Sequence, residues 1–229
     1  MTFLKIQKMD LLIAVYIFCI AVSEIMGSKT FPVWDFGFYK LNASVAIFVV
    51  PLIFTINDII TEVYGKERTR SIIRSSLFVI FLIFGFSLLA TNLPPSARFT
   101  GTEGAYDTIF GLSARFSAAS IIAFAVSDFL DVYVFAWIRE KWGKKALWFR
   151  NNASNFISQF VDSALFLSIA FYAFNQSIGS NVSFILSLLI PYWLLRCTLS
   201  IIETPLVDLG VNWLKKDKQS LPFASQKIK

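Results

Sequence analysis

The segment 150–171 reads RNNASNFISQFVDSALFLSIAF, apolar enough to enter a bilayer yet carrying Asn155, Gln159 and Asp162 at i, i+4 and i+7. That spacing sets two amides and a carboxylate on one face of a helix. Such a face accepts hydrogen bonds and attracts positive charge. Other apolar stretches carry similar groups. Asp58 and Glu62 stand at i, i+4 beside Asn57, and Asp128 and Asp131 at i, i+3. Trp193, Arg196, Ser200 and Glu203 recur along one face of a further segment. A charged side chain at the centre of a membrane helix costs about 2.5–3.5 kcal/mol on insertion scales, so each of these groups needs a reason. One arginine cannot neutralise Asp58, Asp128, Asp131 and Asp162 together. The surplus calls for protons, water or a donor-rich ligand.

Helices must carry these groups. The chain has 229 residues, 56% of them hydrophobic, including 25 phenylalanines, and its mean hydropathy is +0.64. A polytopic membrane protein follows. Spans of about 20 residues fit near 10–27, 42–62, 71–91, 115–138, 153–174 and 182–206, all helical because a span in lipid must satisfy its own backbone. The expected fold class is all-α, a bundle of six transmembrane helices over residues 1–215, followed by a polar, irregular tail over 216–229. The first span has no small-x-small cleavage signal after it, so it reads as a span and not a signal peptide. Pro51 and Pro191 are placed to kink the second and sixth helices. The second half of the outer loop 92–112 suits a short interfacial helix with Tyr106, Ile109, Phe110 and Leu112 toward lipid.

Charge sets the orientation. Sixteen Lys and Arg fall on the side of the termini and only four (Lys29, Lys40, Arg98 and Arg115) on the other. The positive-inside rule then puts both termini in the cytoplasm. The net charge of +6 reflects this asymmetry, and a nucleic-acid partner is not needed to account for it. Cys19 and Cys197 fall within spans without metal-ligand spacing, and the chain has no histidine, so neither metal nor cofactor is expected.

At a rise of about 1.5 Å per residue, Asp162 lies roughly 15 Å into the membrane from Asn152, and Arg196 roughly 12 Å from Thr204. Asp128 and Asp131 fall near the same level, with Asp58 somewhat lower. Two readings compete. Asp162 and Arg196 are a buried pair that holds the bundle, with Asn155 and Gln159 as interhelical glue; or the layer lines one polar cavity. Clustering at one depth favours the cavity.

The segments NDIITEVYGKERTRSIIRSSL and DFLDVYVFAWIREKWGKKALWFRNNASNFISQFVDSALFLSIAF, with the sixth span, resemble the queuosine precursor transporter family, also described as vitamin-uptake-transporter-like. The resemblance runs over nearly the whole chain. It departs at VDSALF, where the family often has Asp-Thr and Ser163 keeps the hydroxyl. It implies a six-helix fold similar to the substrate-binding subunits of energy-coupling-factor transporters. It also implies import of 7-deazaguanine bases (preQ0, preQ1 or queuine) across the plasma (inner) membrane, without an ATPase module of its own. The expected site is Asp58, Asp128, Asp131, Asn155, Gln159, Asp162, Trp193 and Arg196. A carboxylate accepts N1–H and the 2-amino group side by side, Trp193 offers a stacking platform, and Arg196 donates to O6 or pins Asp162. Proton coupling and facilitated diffusion both fit, as does a homo-oligomer. The rival classes are a binding subunit of a multi-component ATP-driven importer, an intramembrane enzyme and a channel. The enzyme lacks any Ser–His pair, and no phosphate-binding Gly-x-x-x-x-Gly-Lys-Ser/Thr loop is present.

Overall fold

The computed structural model describes the backbone of residues 6–142, 147–202 and 204–220, and most but not all of the side chains on them. Seven α-helices appear among the described residues: α1 (Lys8–Met26), α2 (Val50–Tyr64), α3 (Lys66–Thr91), α4 (Glu103–Trp142), α5 (Leu147–Phe171), α6 (Ile178–Ile202) and α7 (Thr204–Ser220). Among the described residues, five stretches are long and apolar enough to cross a membrane: Lys8–Met26, Val45–Tyr64, Lys66–Thr91, Glu103–Ser127 and Ile178–Leu195. On α5 the apolar stretch Gln159–Phe171 is shorter. Phe18, Phe78, Phe81 and Phe86 are all more than half exposed, as suits a surface whose solvent is lipid.

Packing begins with the first three helices. Tyr16 and Ile20 of α1, Ile56 and Ile60 of α2, and Ile72 and Ile80 of α3 form one buried cluster. The long α4 presents small residues inward, with Ser113, Ala114, Ser117, Ala119 and Ala123 all buried. Small side chains let helix backbones approach closely where no water drives association. Phe116 of α4 packs edge-on against Phe166 and Phe171 of α5, and Leu167 joins Leu188 and Leu189 of α6. A buried Asn181 ties the α5–α6 connection, bonding both backbone groups of Ala173 and the carbonyl of Ser177.

Helices α2 and α3 meet at a single residue. Gly65 has φ 86° and ψ 163°, a region open to essentially no residue but glycine. The basic stretch expected as a loop is therefore the opening of α3, with Lys66, Arg68, Arg70 and Arg74 on its first turns. A methyl group at Gly65 would touch nothing within 4 Å, so any cost of Gly65→Ala is backbone strain alone. Thermal melts of the purified variant in detergent should show a loss of about 1–3 kcal/mol. An unchanged melt would mean that the turn relaxes freely.

Several expectations are revised. Residues Thr30–Asp35 and Lys40–Ser44 form an antiparallel hairpin, β1–β2, where only an outer loop was expected. Pro32 is tolerated there because the register slips between Pro32 and Trp34. The turn is closed by Gly37 at φ 81° and by Asp35, which accepts from the Gly37 N–H at 2.8 Å and pairs with Lys40 at 3.0 Å. The Gly37 N–H, and then Lys40, hold the Asp35 carboxyl below the usual carboxylate range. Its contribution to the turn is present at neutral pH and is lost as pH falls through that lowered value. Tyr39 Oη donates to the Ser183 carbonyl at 2.7 Å and Asn42 to Ser187 Oγ at 2.8 Å, which fastens the hairpin to α6. Trp34, Phe36 and Phe38 remain exposed, a composition suited to a membrane–water interface.

Pro51 does not kink α2; it stands in the first turn, where the missing N–H costs nothing. A 3-10 turn, Val45–Phe48, precedes it. Pro191 does lie inside α6. Residues 103–112 are the opening turns of α4 and not a separate helix, because no residue able to stop a helix follows Leu112. Beyond α6 a new helix starts at Thr204, with Pro205 in its first turn, and it continues to Ser220, past the expected onset of irregular chain. Val211 and Leu214 of α7 pack on Ile59 of α2. A methyl group on Gly210 would overlap the Ile59 side chain, so glycine permits this close approach. Lys8 Nζ donates to the Trp213 carbonyl at 2.6 Å, joining the start of α1 to α7.

Candidate functional site

A cavity of about 380 Å³ opens among α1 to α6 and the end of the hairpin, within the range of small-molecule sites. Its apolar walls come from side chains such as Ile20, Val50, Ile80 and Leu188, with the rings of Phe54, Phe116, Phe124 and Phe166 among them. Polar groups enter from each of these six helices. Tyr16, Ser23 and Glu24 come from α1, Asn57 from α2 and Ser76 from α3. Helix α4 supplies Ser120 and Ser127, α5 supplies Gln159, Asp162 and Ser163, and α6 supplies Tyr192.

Two carboxylates are held against α4. Ser120 Oγ donates to Glu24 Oε1 at 2.7 Å, and Ser127 Oγ to Asp162 Oδ1 at 3.3 Å. Ser120 and Ser127 are seven residues apart, one helical face and roughly 10 Å along the axis. No Lys or Arg lines the cavity among the described residues. The chamber therefore offers hydrogen-bond acceptors between aromatic and aliphatic walls, an arrangement that suits a flat, donor-bearing solute.

Of the residues expected at the site, Gln159 and Asp162 line this cavity. The side chains of Asp128, Asp131, Asn155 and Arg196 lie outside the described residues; Asp128 and Asp131 belong to α4, Asn155 to α5 and Arg196 to α6. Asp58 is corrected. It is exposed, and its neighbour Asn57 lines the cavity instead, because successive helical residues are rotated by about 100°. Trp193 does not line it either: half-buried, it meets the Phe160 ring edge-on at 6.1 Å, and Tyr192 supplies the cavity wall. Sequence reasoning passed over Glu24, Tyr16 and Ser120. The signal for Glu24 was present: a carboxylate within an apolar span is costly and calls for a role.

This geometry is that of a multi-pass membrane protein with an internal solute chamber. A family model described as "Putative vitamin uptake transporter" matches residues 44–210. The chain belongs to that family, which is one of transporters and not of enzymes. Among curated relatives, a "Probable queuosine precursor transporter" of Bacillus subtilis (strain 168) is 27% identical over 183 residues, 80% of this chain and 77% of that protein. A protein of the same description from Haemophilus influenzae (strain ATCC 51907 / DSM 11121 / KW20 / Rd) is 30% identical over 139 residues, 60% of this chain and 54% of its own length. The "Queuosine precursor transporter" of Escherichia coli (strain K12) is 28% identical over 144 residues, 62% of this chain and 59% of its own length. With these last two the match spans less than two thirds of their length. No solved structure matches the chain.

Proposed function

We propose that this protein imports 7-deazaguanine precursors of queuosine (preQ0, preQ1 or queuine) across the plasma membrane, and that the cavity among α1 to α6 is where the base binds. The observation that carries the reading is a chamber with two carboxylates and no described basic lining side chain, in a chain whose curated relatives are described as queuosine precursor transporters. A 7-deazaguanine presents N1–H and a 2-amino group on one edge and a flat ring to the walls. Carboxylates accept such donors and the rings of Phe124, Phe166 and Tyr192 can flank the base. In this reading Gln159 and Asp162 meet the ligand, Asp128, Asp131 and Asn155 extend the polar surface, and Arg196 faces Asp162. Residues 1–215 form the transport domain.

Six crossings, with α5 as the fifth, and cytoplasmic termini complete the proposal. Lys8 bonded to Trp213 supports an even number, since it brings the start of α1 and the helix after α6 to one end of the bundle. Complementation tests the function. In cells lacking both precursor synthesis and uptake, this chain should restore queuosine in tRNA when a 7-deazaguanine is supplied. Absence of queuosine with every precursor, although the protein is in the membrane, would refute it.

A further inference from the structure

Four buried side-chain polar atoms have no hydrogen-bond partner among the described residues: Glu24 Oε2, Asn57 Oδ1, Asp107 Oδ1 and Ser117 Oγ. Two of them, Glu24 Oε2 and Asn57 Oδ1, belong to residues that line the cavity. Both are acceptors, and they come from adjacent helices, α1 and α2. Glu24 is only 5% exposed. Its Oε1 is engaged by Ser120, which fixes the carboxyl against α4 and leaves Oε2 with nothing to accept. Ser117 stands beside the carboxylate without completing a hydrogen bond. Asn57 lies beside the Tyr16 hydroxyl, which Ser76 also approaches.

Buried acceptors without donors are costly to keep. Two of them lining one cavity make sense where a ligand brings the donors. We infer that the Glu24 carboxylate is the recognition group for adjacent N–H donors and that it reads the N1–H and 2-amino edge of a guanine-type ring, while Asn57, beside Tyr16 and so about two turns away along α1, meets another part of the ligand. This rests on the 7-deazaguanine reading above and adds to it the residue that discriminates the base. Asp162 is anchored two turns further along α4, too far to share the same pair of donors.

The test is equilibrium binding to the purified protein of 7-deazaguanine and of its counterpart without the 2-amino group, 7-deazahypoxanthine. The parent protein should favour the 2-amino base by roughly 10- to 100-fold, as expected for a charge-assisted hydrogen bond. In Glu24→Gln the amide oxygen can keep the Ser120 bond, and the NH₂ then faces the ligand's donors. The preference should fall to about threefold or less. Asn57→Leu should weaken binding of the 2-amino base by about tenfold. A folded Glu24→Gln protein with the parental preference would overturn the inference. If that variant is not recovered, Glu24→Ala decides: a preference of about threefold or less supports the inference and the parental preference overturns it. A parent protein that binds both bases equally refutes the role of Glu24 and leaves the cargo assignment standing. A parent that binds neither refutes both.

Discussion

Asp162→Asn should reduce uptake of 7-deazaguanine by about 100-fold while leaving the amount of protein in the membrane unchanged. The substitution keeps size and shape and removes a negative charge and part of the acceptor capacity. Asp162 lines the cavity and takes its described hydrogen bond from Ser127 at 3.3 Å, and an amide oxygen can take that bond as well. In the proposed reading the interaction weakened is the one with the ligand. A charge-assisted hydrogen bond contributes about 1.5–3 kcal/mol, and each 1.4 kcal/mol is tenfold in affinity. A paired variant separates packing from binding. Replacing a buried ion pair by apolar residues is often neutral for stability, so Asp162→Leu with Arg196→Met should fold and yet transport nothing. Normal uptake by a folded form of either variant would make the stripe on α5 a packing device.

Arg115→Ala should lower the melting temperature in detergent by about 6–12 °C. Arg115 reaches from α4 to the end of α5, where Nε donates to the Ile169 carbonyl at 2.7 Å and an Nη to the Tyr172 carbonyl at 2.6 Å. The last carbonyls of a helix have no partner within it and carry the negative end of its dipole. The guanidinium also stands over the Phe174 ring, 5.9 Å from its centroid. Alanine removes two charge-assisted bonds and orphans their acceptors, about 3 kcal/mol together. For a chain of this length each kcal/mol moves the midpoint by roughly 2–4 °C. Arg115→Lys should recover less than half of the loss, since an ammonium lacks the rigid fork that meets two carbonyls at once. A melt within 2 °C of the parent would show that lipid-facing water satisfies these carbonyls instead.

The apolar helices were legible because span length and hydropathy are fixed by the bilayer. Of the stripe on α5, Gln159 and Asp162 were legible as one face because polar residues three apart recur on one side of a helix, while the side chain of Asn155 lies outside the described residues. The hairpin was not read, although Asp35-Phe36-Gly37 carries turn residues, because its aromatic run resembles an interfacial loop. Helix α7 was missed because its polar sequence hides the apolar pair Val211 and Leu214 that docks on Ile59. Asp58 and Asn57 show the limit of spacing arguments: neighbours on one helix differ in face, and only packing decides which one meets the cavity. Glu24 lies near the end of its span, where a carboxylate reads as an interfacial group. The Ser120 bond that makes it a buried cavity residue comes from α4, 96 positions away in the chain.

The most direct test of the chamber as the binding site is an experimental structure of the protein with a 7-deazaguanine bound. The base should lie among α1 to α6, its N1–H and 2-amino edge within hydrogen-bonding distance of Glu24, with Asn57 and Asp162 further along the chamber. A base bound outside this cavity, or a cavity that stays empty at ligand concentrations that saturate uptake, would contradict the account.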